Sequence, residues 1–184
     1  MFDIYRTSKL TYRLVMTQIT DWLRAKAHGF NHLSNEEVSA ISDFSLLWVL
    51  FECRLLNTQG SARSICDMVD GWHKDGTLDA PSFDSELSYF RQRYFANGAF
   101  TDHFDHLHLR KNDQEPLVRA VIDGSCDDPR DRVAAVLIII FRYRNNLFHG
   151  VKWQYKLAGQ LGNFTAANAV LMKVLDQHGA LLEG

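Results

Sequence analysis

Apolar residues recur at helical spacing along nearly the whole chain, and no stretch of any length alternates with the two-residue period of a strand. The first run predicts a helix over about Lys9–Ala27, with Tyr12, Val15, Met16, Ile19, Trp22 and Leu23 on one stripe. "HGFNHL" breaks it. A second helix opens at Ser34, where Glu37 three residues on completes a capping-box pair. It carries Val38, Ile41, Phe44, Trp48, Phe51 and Leu55 toward the core. Leu46, Leu47 and Leu50 widen that apolar face, which predicts a central place in a bundle. Helices around Ala62–His73 and Phe83–Ala96 flank the turn "KDGTLDAPS". Asn97–Asp128 is the least regular part, with short helical pieces. Asp128-Pro129 then supplies an N-cap and a Pro at the first helical position. They open a long helix, Pro129–His149, which Gly150 stops. A last amphipathic helix starts near Asn163 and presents Ala167, Leu171, Val174, His178 and Leu181 on one side. The pattern predicts an all-α chain, an up-and-down helical bundle with additional peripheral helices around one hydrophobic core.

Composition fits that picture. The 184 residues suit a single domain over the whole chain, and 46% apolar with 23% charged residues is the balance of a folded protein. No apolar stretch approaches the roughly 18 residues of a membrane span. Val133–Phe141 is nine residues long and ends at Arg142. "MFDIYRTSKL" lacks the basic-then-apolar layout of a signal peptide. Cys53, Cys66 and Cys126 are odd in number and far apart, without zinc-type pairing, so reduced thiols in a cytoplasmic setting are expected. The net charge of −2 gives no overall pull toward nucleic acid. The distribution is uneven, however. Arg130 to Lys156 holds Arg130, Arg132, Arg142, Arg144, Lys152 and Lys156 against Asp131 alone, so this window is +5 and the remainder −7. Such a field suits a phosphate-bearing ligand, although a solvated helix flank would carry the same charges.

The window ends in "VAAVLIIIFRYRNNLFHGVKW" (Val133–Trp153), an apolar rod that finishes in a guanidinium, two carboxamides and an imidazole. A helix that only fills a core does not require that ending. Asn145 and His149 are four apart and share a face, and the long Arg144 side chain can sweep back over it. Tyr143 with Leu147, and Phe141 with Phe148, can serve the core. Guanidinium grips phosphate oxygens in a fork and stays charged at any working pH. An imidazole near neutrality can act as general base or acid. No metal or other cofactor is needed for that chemistry.

"RNNLFHG" resembles the R-x4–6-H motif of the HEPN superfamily, in the form where Asn follows the Arg. The preceding apolar helix, the basic-aromatic stretch and the final amphipathic helix extend the resemblance. It implies a HEPN-like bundle that forms a homodimer, bringing two copies of the motif into one cleft. It also implies a metal-independent endoribonuclease of a toxin–antitoxin or phage-defence type, with RNA as substrate and an antitoxin or defence protein as partner. Other members bind nucleotides or RNA, or serve as non-catalytic regulatory dimers. Carried onto this chain, Arg144 would hold the scissile phosphate, His149 would move the 2′-hydroxyl or leaving-group proton, and Asn145 would orient one of them. The product would be a 2′,3′-cyclic phosphate. Toxins controlled by a nucleotidyltransferase often carry Tyr two residues past the His. Here that position is Val151.

Three further groups are candidates. Glu52, within "LLWVLFECRLL", is expected to be half-buried and to pair with Arg144 or Arg142 and orient the guanidinium, or else with Arg54. Lys152 and Lys156, interleaved with Trp153 and Tyr155, can track a phosphate backbone and stack on bases, or pack onto the bundle. Asp102, His103, Asp105, His106 and His108 crowd together, but His108 falls off the face shared by His103 and His106, so no metal site is read there.

Overall fold

A computed structural model of the chain describes residues 18–148 and 157–181. Residues 18–26 form a helix (α1), followed by a 3-10 turn at Phe30–His32. Then come α2 (Asn35–Leu55), α3 (Ala62–Lys74), a 3-10 turn at Ala80–Phe83 and α4 (Asp84–Tyr94). A hairpin of β1 (Phe95–Ala96) and β2 (Ala99–Phe100) leads to α5 (Asp102–Asp105) and α6 (Glu115–Ile122). The chain closes with α7 (Pro129–Phe148) and α8 (Leu161–His178).

Local chemistry sets the starts. The Ser34 hydroxyl accepts from the Glu37 amide while the Glu37 carboxylate accepts from the Ser34 amide, satisfying two donors that an open helix end would orphan. Ser61 and Ser64 do the same for α3. At α7 the Asp128 carboxylate accepts from the amides of Arg130 and Asp131, and Pro129 has no amide to satisfy.

The centre of the bundle is α7. Every residue from Val133 to Tyr143 is buried, with α3 and α6 packed on it, while α2 pairs with α8 and α4 touches both α7 and α8. The Tyr94 and Tyr143 hydroxyls hydrogen-bond to each other inside the core. The place expected for α2 is therefore corrected. Phe44, Trp48 and Phe51 fill its inner face, whereas Leu46 and Leu50 point to solvent at 69% and 44% exposure. Similarly, Ile19 and Trp22 of α1 are exposed, and Leu23 alone of the described part of that stripe packs against the core. Tyr12, Val15 and Met16 lie outside the described residues.

Between α4 and α6 the sequence predicted no strand. The hairpin pairs Phe95 with Phe100 and Ala96 with Ala99, with Asn97 and Gly98 both at positive φ, as a two-residue turn of this kind demands. Two-residue strands are too short for alternation to register, and they end α4 at Tyr94. In α8, Ala167, Leu171 and Val174 are buried as expected, while Leu181, past the helix end at His178, stays 41% exposed. No helix among the described residues is long and apolar enough to cross a membrane.

His178 stacks on Trp72 with ring centroids 3.9 Å apart and planes 9° from parallel. Burial pulls its imidazole below the ordinary value of 6.5, so the unfolded chain binds the proton more readily than the folded one. The stability it contributes is complete above pH 6.5 and declines as pH falls toward the lower folded value. Melts of His178→Phe should be flatter across that acid range than those of the unaltered chain.

Candidate functional site

The polar residues that end α7 go two ways. Tyr143 and Leu147 turn into the core as their spacing suggests. Phe141 is buried 6.0 Å from the Trp48 ring, but Phe148 is 53% exposed and does not join it, because it lies a further two turns along, beyond the core's edge.

Arg142 and Asn146 are four residues apart and face the segment after α5. The Arg142 Nε donates to the Leu107 carbonyl at 3.1 Å, and its Nη1 lies 2.9 Å from the Asp113 carboxylate. Asn146 donates to the carbonyls of His106 and Leu107, both at 3.2 Å. Burial lowers the Arg142 pKa and the Asp113 charge opposes that fall. Arg142 is thus 2% exposed and fastened away from Glu52. The expectation that it supports the same site as Arg144 is corrected, since residues two apart on a helix point about 200° from each other.

Arg144 faces α2. Its Nη1 donates to the Asn145 carboxamide oxygen at 3.0 Å and its Nη2 to the Glu52 carboxylate at 3.4 Å. The guanidinium carbon sits 5.9 Å from the centre of the Trp48 ring and 5.7 Å from that of Phe148, within reach of a cation–π attraction on both sides. The side chain is 28% exposed, while its Nε is buried without a hydrogen-bond partner.

Glu52 is itself held. Its Oε2 accepts from the Trp48 indole at 2.9 Å, and its Oε1 accepts from the Gly60 amide at 3.1 Å. Of the partners weighed for Glu52, Arg144 is the one it meets; Arg54 is exposed. The Trp48 contact was available in the sequence as an i,i+4 pair on a helix. Gly60 was not, because its approach depends on the turn after α2. A Cβ on Gly60 would collide with the Glu52 carboxylate and sit 3.4 Å from the Trp48 ring. Gly60→Ala should therefore lower stability by about 1–3 kcal/mol in a denaturant titration, as overpacking does.

His149, Gly150, Val151, Lys152, Trp153, Tyr155 and Lys156 lie outside the described residues. The basic window reads differently once folded. Among the described residues, each of its four cations meets a carboxylate: Arg130 meets Asp70 and Asp131, and Arg132 meets Asp84 and Asp127. Arg142 meets Asp113 and Arg144 meets Glu52. Most of these acids come from distant elements, so a count along the chain could not see them. His103, His106 and His108 stand with successive ring centroids 6.4 Å apart, and no group of three His, Cys, Asp or Glu among the described residues could hold a metal ion. Cys53, Cys66 and Cys126 are free thiols.

The site can thus present a partly exposed guanidinium, oriented by a carboxamide and a carboxylate and flanked by two aromatic faces. Among known proteins, no family model matches the chain, and no curated protein or solved structure matches it either.

Proposed function

We propose that the chain is a HEPN-like, metal-independent endoribonuclease of a toxin–antitoxin or phage-defence type, acting in the cytoplasm and cutting RNA through Arg144 and His149 in a cleft between two copies. The observation that carries this reading is the setting of Arg144. It projects from the end of a buried rod, keeps part of its surface open, and is aimed by Asn145 and Glu52 rather than sunk like Arg142.

In this reading Arg144 grips the scissile phosphate and stabilises the charge that grows on its oxygens. His149 takes the proton of the adjacent 2′-hydroxyl, whose oxygen attacks phosphorus. The bond from phosphorus to the 5′-oxygen breaks, that oxygen takes up a proton, and a 2′,3′-cyclic phosphate remains. Asn145 and Glu52 position the guanidinium, and Lys152, Trp153 and Lys156 hold the flanking nucleotides. An antitoxin or defence-system protein is the partner that would restrain such an activity.

A second reading is favoured by the Glu52–Arg144 contact, which already compensates the cation: a non-catalytic member whose site binds RNA or a nucleotide, or only regulates dimerisation. Purified protein incubated with structured and unstructured RNA in EDTA, beside Arg144→Ala and His149→Ala, separates the two. Cleavage lost in both variants supports catalysis, and cleavage surviving both rules it out. RNA binding without cleavage in any sample favours the second reading.

A further inference from the structure

A helix that is apolar on opposite faces is normally covered on both, and among the described residues α2 is covered on one. Opposite Phe44, Trp48 and Phe51, the residues Ser42, Leu46, Val49, Leu50 and Cys53 fall within about 100° of the helix circumference. All five are exposed, Leu46 and Val49 at 69% and 61%. No charge interrupts this stripe. Two charges border it on one edge, Asp43 near its start and Arg54 near its end, and neither makes an ion pair among the described residues. Glu52 and Trp48 border the other edge.

The geometry points to this face of α2 as the contact between two copies of the chain, paired antiparallel about a two-fold axis passing beside Val49 and Leu50. Charge complementarity selects that occupant and that direction. In an isologous contact each position meets its counterpart across the axis, so Leu46 lies against Cys53 of the second copy and Val49 against Leu50. The axis runs perpendicular to the helices and keeps each edge on its own side. Asp43 then lies two residues, about 3 Å along the helix, from the level of Arg54 of the second copy, within reach of that long side chain, twice over. A parallel pair would instead set Asp43 level with Asp43 and leave Arg54 unmatched. On the opposite edge, the two Glu52–Arg144 clusters come out on the same side of the pair. The proposal deepens the RNA reading by naming the face on which its two copies would meet, although the pairing stands on the α2 face itself.

Sedimentation of the full chain across micromolar concentrations tests it. A dimer is expected. Leu50→Glu, which puts a carboxylate into the seam, should raise the dissociation constant about a hundredfold. Asp43→Arg and Arg54→Asp should each raise it about tenfold, and the double reversal should return it to within about threefold of the starting value. Because these residues are exposed, the variants should melt as the parent does at concentrations low enough that all are monomeric. Met172→Glu, at an exposed position of α8, should leave the dimer intact. The pairing is overturned by a chain that stays monomeric, by charge reversals whose effects add instead of cancelling, or by a dimer that Met172→Glu dissolves and Leu50→Glu does not. The readout is mass, so a monomer that cleaves RNA defeats the pairing and the two-copy cleft but leaves the cleavage chemistry of Arg144 and His149 standing. A dimer that cleaves nothing defeats the RNA reading alone.

Discussion

Arg144→Ala is expected to lower RNA cleavage about a thousandfold while leaving most of the stability in place. The first part follows from what a guanidinium does at a phosphoryl centre. It meets the developing negative charge with two aligned donors, and removing one such stabiliser typically costs about a hundred- to a thousandfold in rate. Arg144→Lys should recover little, because an ammonium keeps the charge but loses the planar fork. The second part follows from the surroundings. With Arg144 gone, Glu52 still accepts from the Trp48 indole and the Gly60 amide, and a carboxylate that keeps two donors is not stranded. Rates measured on a defined RNA, beside thermal melts, check both halves. A steep fall in melting temperature with cleavage unchanged would make Arg144 a structural ion-pair donor at the core's edge.

The largest loss of stability is expected from the ion pair of Arg142, two residues before Arg144. Asp113→Ala removes the carboxylate that faces Arg142, a side chain only 2% exposed. A buried cation left without its counter-charge costs about 3–5 kcal/mol, which in a domain of this size lowers the melting temperature by roughly 10 °C. The loss is compounded because Asp113 also accepts from the Arg110 amide at 2.8 Å and so shapes the segment that Arg142 and Asn146 hold. Since the pair is remote from the Glu52–Arg144 contact, the surviving folded fraction should retain its specific RNA activity. Denaturant melts paired with rates per folded molecule separate the two effects.

These neighbouring arginines show how far the sequence reached. The rod from Pro129 and its N-cap were legible, because an N-cap, a Pro at the first turn and an unbroken apolar run each act locally. So was the Ser34–Glu37 box. The division of labour between Arg142 and Arg144 was not, since it depends on which distant carboxylate each finds. Asp113 and Glu52 lie in different elements and on opposite sides of the rod. The apolar width of α2 was visible, but its assignment to the core was an inference from a single chain. Phe44, Trp48 and Phe51 use up the inner face, and Leu46, Val49 and Leu50 are left outside. The hairpin at Asn97-Gly98 carried its turn signal in plain view. Strands of two residues simply offer no period to detect.

The direct measurement is the chemistry of the RNA ends. Purified chain is incubated with a defined RNA in EDTA, and the new termini are identified beside those made by Arg144→Ala and His149→Ala. New 2′,3′-cyclic phosphates and 5′-hydroxyls are expected from the unaltered protein, and from the two variants about a thousandfold less of either. Termini of the same kind and amount from all three proteins would contradict that expectation.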